Sequence, residues 1–544
     1  MTEHPEGTHV GTQGGSPPET IGLRNRIRAR WKELPSEQRA AVSIGGAVAL
    51  AILLFFVDHA LGYAVLTISA IYWINRLPPL PWRLAAQAVL VLVFLVFGPA
   101  SFGILLAVAF GVFWVPQRQR IWVLPIVAVA AAVMYPFYQT KMFTIPVFGT
   151  WPDVATGVVM LVFVMMAVGL NIVVGYAGLL DLGYVAFYAT GAYTAAWFAS
   201  QQFAGQKCPK PGVSVANCPV AAIPKHNFDF GAVGLVPGVG GIHISVWLLL
   251  VLAGVITAFF GIVIGLPTLR LRGDYLAIVT LGFGEILPQI ARNGDNLFGT
   301  GINLTNGPNG ITPLDSMGFG NRLSDATHGF LPSSFLTCCK ATRLGHQIQS
   351  TDVFFWVAIL LLLVTVFCSL RLQYSRLGRA WIAIREDETA AAAMGIPLMR
   401  TKTWAYASGA FFGGVAGAYY AVFKSATFPG DFFFNISVFI LCMVILGGMG
   451  NIWGVIVGAS FLAYLDREGL ANTGAWINSN VHVGHWHPNL EVPLYASGIY
   501  GLIILIVMLF RPEGLIPSRR RAAELHEGVH DEPLYDATHA GAEA

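Results

Sequence analysis

Charged residues are scarce in this sequence. They make up 11% of its 544 residues, whereas hydrophobic residues make up 55%; an ordinary soluble domain is about 25% charged. This deficit excludes a typical water-soluble globular protein. The formal net charge of +3 is too small to indicate a nucleic-acid-binding protein. We therefore expect no nucleic-acid partner.

Motifs for catalysis and nucleotide binding are also missing. The turn GPNG at 307–310 lacks the lysine and the preceding strand of a phosphate-binding loop. The three histidines His482, His485 and His487 lack a further ligand at suitable spacing, so a solvated loop is expected there and not a metal site. The sequence therefore predicts neither enzyme activity nor a cofactor for this chain.

Cysteine is rare as well. Six cysteines are too few for a disulfide scaffold and do not follow a metal-binding spacing. Four of them lie in two long polar stretches, 200–243 and 292–352: Cys208, Cys218, Cys338 and Cys339. A disulfide between Cys208 and Cys218 and four unpaired thiols both fit the sequence. A cleavable signal peptide is not expected, because residues 1–39 are polar and basic.

Apolar segments dominate the rest of the chain. Roughly 20 helical residues cross the hydrocarbon layer of a membrane, and segments near that length recur throughout. They cover 40–57, 60–74, 84–98, 99–115, 121–138, 154–176, 183–199, 244–266, 274–291, 353–370, 404–423, 432–447, 453–465 and 494–511. The sequence therefore predicts an all-α polytopic membrane protein. Some of the shorter segments are candidates for broken or re-entrant helices.

The basic residues lie in short clusters between these segments. With a cytoplasmic N-terminus, Arg270, Arg272 and the segment 371–402 all fall on the cytoplasmic side, which is the orientation that the positive-inside rule favours. The polar stretches 200–243 and 292–352 then lie outside. Both termini are expected in the cytoplasm.

Intramembrane polar residues divide the chain into two sections. Residues 40–138 form an apolar section without a charge near a segment centre, which is typical of packing or lipid-facing helices. From 154 onward the segments contain Gly, Asn, Thr and Glu, and such groups usually face a protein interior or a wet cavity. The transport path is therefore expected in this second section, which ends before a polar tail, 518–544.

Glycines recur at four-residue spacing in the C-terminal part. This spacing permits close helix packing, which we expect at Gly409, Gly413, Gly417, Gly454 and Gly458. The stretch 444–454 holds too many glycines for a continuous helix, so it is predicted to break and expose backbone groups to a cavity. The candidates for the path or a gate are Asn171, Tyr193, Thr280, Glu285, Gly447, Gly448 and Gly450.

The deepest predicted charge is Glu285, in the stretch LRLRGDYLAIVTLGFGEI. A helix that begins near Asp274, where a carboxylate suits the positive helix N-terminus, places Glu285 about 16 Å further along its axis. That depth is near the middle of a bilayer, so Glu285 is not expected to face lipid. Pairing with Arg292, a contact with a partner subunit, a structural hydrogen bond and a role in a gate all remain open.

The largest loop between apolar segments is 371–402. Its centre, 381–394, joins an acidic cluster to an alanine run and is predicted to form one short helix, which Gly395 and Pro397 stop. A solvated linker fits this pattern. A docking helix for a soluble partner also fits, because small alanines allow close approach while the charges fix the register.

Five sequence blocks in a fixed order resemble a known family. They are LPTLRLRGDYLAIVTLGFGEI (266–286), NGPNGI (306–311), LGRAWIAIREDE (377–388), ILGGMG (445–450) and RPEGLIP (511–517). Over about 154–517 the chain is similar to the LivM-type permeases of branched-chain amino acid ABC importers. The resemblance implies an ABC importer permease of the LivH/LivM type with extra N-terminal transmembrane helices.

The resemblance also implies partners. They are a homologous LivH-type permease that forms a heterodimer with the chain, two ABC ATPase subunits inside, and a periplasmic or extracellular substrate-binding protein outside. The complex would lie among the lipids of a bacterial inner (cytoplasmic) membrane, and ATP would be hydrolysed on the partners.

Within this family the loop 371–402 is expected to dock on the ATPase. The expected coupling residues are Arg385, Glu386, Asp387, Glu388, Ala390, Ala391 and Gly395. The loop departs from the general coupling motif of importers, because no Ile-x-Leu-Pro follows Gly395.

Three other functions fit the sequence less closely. Permeases for urea or short-chain amides share the fold and similar blocks. An ion-coupled secondary transporter would use Glu285 or Asp274 as its ion carrier and would need no ATPase. A purely structural membrane subunit would tolerate the loss of every polar intramembrane residue.

Overall fold

The computed structural model of the protein is mainly helical. It describes residues 48, 50–51, 59–74, 81–97, 100–145, 147–202, 228–233, 241–271, 274–296, 303–320, 324–325, 332–335, 342–343, 346–480, 490–511 and 513–516. Within these ranges, six helical stretches are long and apolar enough to cross a membrane: Val123–Lys141, Val154–Tyr176, Val246–Thr268, Ser350–Gln373, Pro429–Gly447 and Val492–Phe510.

The chain forms two compact units, Met1–Phe110 and Gly111–Ala544. The first unit contains helices α1 (His59–Ile74) and α2 (Pro81–Phe97) and most of α3 (Ala100–Trp114). Each of the three follows a predicted apolar segment. The predicted segment 40–57 lies almost wholly outside the described residues.

The second unit holds the remaining helices. They are α4 (Gln117–Tyr138), α5 (Val154–Asn171), α6 (Tyr184–Phe198), α7 (Val246–Thr268), α8 (Asp274–Arg292), α9 (Ser350–Gln373), α10 (Arg376–Glu386), α11 (Glu388–Ala393), α12 (Leu398–Lys424), α13 (Phe434–Gly447), α14 (Ile452–Tyr464), α15 (Leu470–Asn480) and α16 (Ala496–Phe510). Apart from α10 and α11, which belong to the loop 371–402, and α15, they follow the predicted apolar segments. The largest extension at a helix start is in α12, which begins at Leu398 and not near 404.

Helix α5 lies at the centre of this unit. Its side chains are apolar around the whole circumference, a pattern typical of a fully buried helix, and residues 162–176 are all buried. Helices α9, α12, α13 and α14 pack around it. The Asp153 carboxylate caps its start by accepting a hydrogen bond from the Thr156 N–H at 2.8 Å. The core of the protein is therefore built around α5.

Two helices continue through a π turn. Helix α5 runs into the first π turn, Ile172–Tyr176, and α14 runs through the second π turn, Leu465–Gly469, into α15. The predicted apolar segment 453–465 is therefore only the first part of a longer helix that ends at Asn480.

Helix α4 packs on α9 within the second unit. The Trp356 indole N–H donates to the Val133 carbonyl at 2.9 Å, and the rings of Tyr135 and Phe355 lie 5.7 Å apart. The last helix of the predicted N-terminal section therefore joins the larger of the two units.

Short strands lie at the end of the second unit where α6 finishes and α7 begins, which we call the polar-loop end. Strand β3 (Ile242–Ile244) pairs antiparallel with β1 (Ala199–Ser200) and parallel with β2 (Phe228–Phe230). A two-stranded ladder joins β4 (Thr342–Arg343) and β5 (His346–Gln347). None of these strands was predicted, because each is only two or three residues long.

One buried pair of side chains ties these loops together. The Nδ1 atom of His243 lies 2.6 Å from Asp315 Oδ2, and both side chains are almost completely buried. The Asp315 N–H also donates to the Ala199 carbonyl at 2.7 Å. The pair thus joins β3 of the first polar stretch to Asp315 of the second.

Candidate functional site

The glycine-rich stretch between α13 and α14 breaks the helix, as predicted. Gly448 and Gly450 have φ angles of +112° and +86°, which glycine adopts without steric cost. The break meets another segment of the chain. The Leu515 N–H donates to the Leu446 carbonyl at 2.9 Å, and the Ile516 N–H donates to the Gly447 carbonyl at 3.2 Å. The C-terminal segment 513–516 therefore satisfies the freed backbone groups.

The same break meets the end of α5. The Gly450 N–H donates to the buried Asn171 Oδ1 at 2.9 Å. A Cβ added at Gly175, in the first π turn, would overlap Asn171 Oδ1 and lie 2.7 Å from the Gly450 nitrogen. Because of this close approach, two predicted path residues, Asn171 and Gly450, lie together on the first π turn.

Arg385 of α10 reaches this point from the loop 371–402. Its Nη1 donates to the Gly175 carbonyl at 2.5 Å. At Gly178, where φ is +70°, an added Cβ would lie 2.7 Å from Arg385 Cγ. One predicted coupling residue is therefore bonded directly to the backbone at the end of the central helix.

The loop 371–402 forms two helices, so the prediction of one helix over 381–394 is wrong. Helix α10 starts at Arg376 because Ser375 caps it, with its hydroxyl accepting from the Gly378 N–H at 3.1 Å. It ends at Asp387, whose extended backbone (φ −151°, ψ 111°) separates it from α11. An N-cap residue needs this extended conformation, so the aspartate that begins α11 also ends α10.

Asp387 holds the start of α11 through its side chain. Its Oδ1 accepts from the Thr389 N–H at 2.8 Å, the Thr389 hydroxyl at 2.6 Å and the Ala390 N–H at 3.1 Å. These hydrogen bonds, that of the Thr389 hydroxyl first, lower the pKa of the Asp387 carboxyl, because they favour its charged form.

Two buried contacts fix the helix pair to α12. The Trp381 indole N–H, fully buried, donates to the Thr401 carbonyl at 2.8 Å. The Nζ atom of Lys402, whose side chain is 6% exposed, lies 2.7 Å from Glu388 Oε1. Both α10 and α11 are therefore anchored to the long helix α12, which crosses the core.

The predicted coupling residues face two directions. Arg385 is half-buried, Glu388 is half-buried and Ala391 is buried, and these side chains point toward the rest of the chain. Glu386, Asp387, Ala390 and Gly395 are exposed. The pair α10–α11 thus presents one face to the protein and leaves the other face exposed.

The linker between α5 and α6 is held by α8. The Leu182 N–H donates to the Thr280 hydroxyl oxygen at 3.1 Å, while the same hydroxyl donates to the Ala277 carbonyl at 3.0 Å. The fully buried Asp181 carboxylate accepts from the Gly183 N–H at 2.9 Å. The hydrogen bond from Leu182 thus joins the linker to α8, while the bond to Ala277 stays within that helix.

The glycines of α12 make the close contacts that their spacing predicts. An added Cβ would overlap Val173 Cγ2 at Gly409 and the Tyr188 carbonyl oxygen at Gly417, and at Gly413 it would lie 3.2 Å from Phe187 Cβ. At Gly454 and Gly458 it would crowd the backbone of Gly447. Gly447 therefore lies inside a helix contact, although it was predicted among the path residues.

The two remaining path candidates differ in exposure. Tyr193 on α6 is buried, its ring lies 5.7 Å from that of Phe432, and its hydroxyl has no hydrogen-bond partner among the described residues. Glu285 is exposed on the surface of this chain, as is Arg292. Within the described part of the chain no ion pair joins them.

A cluster of charged residues near the polar-loop end was not predicted. In the second π turn, Arg467 Nε lies 3.2 Å from Asp466 Oδ2, and the Tyr500 hydroxyl donates to Asp466 Oδ1 at 2.7 Å. At the end of α12, the Lys424 Nζ lies 2.6 Å from Asp431 Oδ1. The available signal was the charged run DREG, which directly follows the predicted apolar segment 453–465.

The described residues contain no group of three His, Cys, Asp or Glu side chains that could hold a metal ion. Other predictions lie outside the described residues: the histidines His482, His485 and His487, and the cysteines Cys208, Cys218, Cys338 and Cys339.

The core of the chain matches a single family model. Residues 154–508 match the family model described as the permease component of branched-chain amino acid transport systems. The match begins with α5 and ends within α16. No solved structure matches the chain.

Curated relatives carry the same description. The chain is 31% identical over 413 residues to the high-affinity branched-chain amino acid transport system permease protein LivM of Salmonella typhimurium, covering 76% of this chain and 78% of the relative. Its identity to the Escherichia coli protein of that name is 31% over 414 residues, again with 76% and 78% coverage. A probable LivM of Methanocaldococcus jannaschii is 25% identical over 276 residues, with 50% and 69% coverage.

Proposed function

This chain belongs to the permease family of branched-chain amino acid transport systems, and from that membership we propose that it is the membrane-crossing subunit of an ATP-driven importer for branched-chain amino acids. It forms the translocation path together with a homologous LivH-type permease. Two ABC ATPase subunits drive it from the cytoplasm, and an external substrate-binding protein delivers the amino acid.

The hydrogen bond from Arg385 to the Gly175 carbonyl carries the mechanistic part of this proposal. ATP binding and hydrolysis on a partner can move the permease only through a contact that reaches its membrane core. The α10–α11 pair offers an exposed face for such a partner, while Arg385 joins its other side to the first π turn. A push on the pair is therefore transmitted to the end of α5 and, through Asn171, to the break at Gly450.

We assign the exposed face of α8 to the heterodimer interface. This face carries Glu285 beside the exposed apolar residues Tyr275, Ile278 and Ile286. A carboxylate at this depth is costly against lipid, whereas a second permease would cover it and could supply a partner. The face therefore supports pairing with a homologous subunit, and Glu285 would then border the path between the two.

The proposed contact of α10 and α11 with the ATPases also sets the orientation of the chain in the membrane. Because α10 and α11 contact the ATPases, they lie in the cytoplasm, and the polar-loop end lies outside, where the binding protein docks. The membrane is the bacterial inner membrane, and both termini lie inside.

Uptake into proteoliposomes tests the proposal. The chain is reconstituted with its LivH-type partner, both ATPases and the binding protein, and radiolabelled leucine and urea are offered with internal ATP or with an imposed proton or sodium gradient. We expect ATP-dependent leucine uptake and no uptake on the gradient alone. Urea uptake in place of leucine would reassign the substrate. Uptake driven by the gradient without ATPases would reject the ABC mechanism.

A further inference from the structure

A cavity of about 220 Å³ lies at the second π turn, within the second unit. Its wall includes Arg467 from the π turn and Asp431 from the short 3₁₀ turn between α12 and α13. The apolar part of the wall comes from α5 and α13, with Val162, Phe163 and Ile436 among its residues. Small-molecule sites in proteins place charged or polar groups against apolar side chains in this way.

The two charges of the cavity border the same aromatic residues. Tyr188 and Tyr420 both line the cavity, and both lie within the electrostatic reach of Asp431 and of Arg467. The cavity thus holds a cation and an anion close enough to act on one small ligand. An opposite pair of charges on a ligand matches this wall better than a single charge does.

Neighbouring side chains hold Arg467 in place and leave its two terminal nitrogens able to donate hydrogen bonds. Its Nε pairs with Asp466, and its guanidinium lies 5.3 Å above the Phe163 ring. The Asp466 carboxylate is fixed in turn by the Tyr500 hydroxyl. Among the described residues the two terminal nitrogens of Arg467 have no hydrogen-bond acceptor, and its side chain is 41% exposed. A planar guanidinium with both terminal nitrogens open suits a carboxylate.

Asp431 keeps one position for a further donor. Lys424 Nζ lies 2.6 Å from Oδ1 and 2.7 Å from Oδ2, and the Phe428 N–H donates to Oδ2 at 3.3 Å. An ionised carboxylate has about four lone-pair sites, so a second donor can bind at Oδ1. An ammonium group is such a donor.

We propose that this cavity binds the α-amino and α-carboxyl groups of a single aliphatic amino acid, with Arg467 on the carboxylate, Asp431 on the ammonium and the apolar wall on the side chain. Its volume is below the roughly 300–1,000 Å³ of sites for drug-sized ligands, which suits one amino acid. In the proposed orientation the cavity lies toward the external end, where the binding protein releases its cargo. This inference rests on the proposed function and adds a binding step inside the permease subunit.

Equilibrium binding to the purified complex, without the substrate-binding protein, tests the inference. Tritiated leucine is the probe, and two competitors each lack one charge: 3-methylbutylamine has no carboxylate and 4-methylpentanoate has no ammonium. The variants are Arg467→Gln and Asp431→Asn. Arg371→Gln is the matched control, because Arg371 also lies 5.3 Å above a phenylalanine ring, that of Phe367, but lines a different cavity.

We expect each cavity variant to weaken leucine binding at least about tenfold, since a charge-assisted hydrogen bond contributes a factor of that order. Arg467→Gln should change 3-methylbutylamine binding less than about twofold, and Asp431→Asn should do the same for 4-methylpentanoate. The control variant should bind leucine like the wild type.

Three outcomes would overturn the inference. The first is that a complex which still imports leucine with ATP does not bind leucine. The second is that both variants weaken the binding of all three ligands equally. The third is that 4-methylpentanoate binds as tightly as leucine. The last result would indicate a plain anion site. A wild-type complex without ATP-driven leucine uptake would instead contradict the proposed function itself.

Discussion

The two π turns of the core have the same backbone geometry but different side chains. A π turn widens a helix by one residue and is frequent at functional sites. The first π turn, Ile172–Tyr176, is completely buried and carries no ionisable group except a tyrosine. The second π turn, Leu465–Gly469, carries Asp466, Arg467 and Glu468, whose side chains are partly exposed.

Because of this difference, the first turn interacts through its backbone groups and the second through its side chains. The first π turn offers backbone groups, and glycine lets other segments approach them: Arg385 reaches the Gly175 carbonyl and Gly450 packs beside it. The second π turn offers side chains, which pair with one another and line a cavity. Added atoms should therefore damage the first turn, whereas removal of polar atoms should damage the second.

The largest effect is expected from Gly175→Ala. The new methyl would overlap Asn171 Oδ1 and crowd the Gly450 backbone, and overpacking of this kind costs about 3 kcal/mol. The matched control is Gly469→Ala in the second π turn, where the nearest atoms are the side-chain atoms Leu465 Cδ1 at 3.0 Å and Phe148 Cδ1 at 3.4 Å. Thermal unfolding of the detergent-solubilised complex should separate the two variants clearly. Equal melting temperatures would remove the contrast between the turns.

Arg385→Ala should give the second largest effect. It removes a charged donor from the Gly175 carbonyl, which costs about 2 kcal/mol, and it breaks the proposed link between ATPase and core. We expect an assembled complex whose ATPase activity no longer responds to the loaded binding protein and whose leucine uptake falls at least about tenfold, which is the order of a typical coupling free energy between two sites. Arg371→Ala, on the exposed end of α9 and outside the α10–α11 pair, is the control. Normal coupling in Arg385→Ala would refute the link.

Tyr500→Phe tests the second π turn with a smaller change. It removes the hydroxyl that donates to Asp466 at 2.7 Å and should lower stability by about 1 kcal/mol. Tyr495→Phe, at a tyrosine that is 60% exposed, should change nothing measurable. The melting temperatures of the two variants provide the comparison. If the Tyr500 variant melted like the control, the polar contacts of the second turn would not contribute to stability.

The smallest effect concerns Asp387, the cap of α11. Because the Asp387 pKa is lowered in the folded protein, its contribution is fully present above the ordinary aspartate pKa of about 3.9. It is lost as the pH falls through the lower, folded-state value. Amide hydrogen exchange of 388–393 should therefore accelerate with acid relative to the intrinsic rates. Asp387→Asn keeps a capping oxygen and should abolish this pH dependence.

Several parts of the fold could be predicted because their causes are local. Apolar runs of sufficient length form helices in place, so segments such as Val154–Tyr176 were located closely. The closely spaced glycines Gly447, Gly448 and Gly450 favour a helix end, so the break after Gly447 was also predicted. The helix pair α10–α11 was only half predicted, since the acidic cluster gave no sign that Asp387 would end one helix and cap the next.

The candidate site was predicted residue by residue but not as an arrangement. Asn171, Gly450 and Arg385 were each selected from the sequence, yet Arg385 bonds to a residue 210 positions away and Asn171 to one 279 positions away. Arg467 was not selected at all, because it lies beyond the predicted apolar segment 453–465. The helix continues there, and the charges stay near the core because they pair with each other.

The sequence by itself determined that this is a polytopic helical membrane permease, which family it resembles and that α13 breaks at its glycines, because hydropathy, glycine content and short motifs act over neighbouring residues. Only the tertiary structure decided which residues meet. The contact of α10 with the first π turn and the shared cavity of Arg467 and Asp431 depend on packing between distant segments, and no local pattern in the chain records such packing.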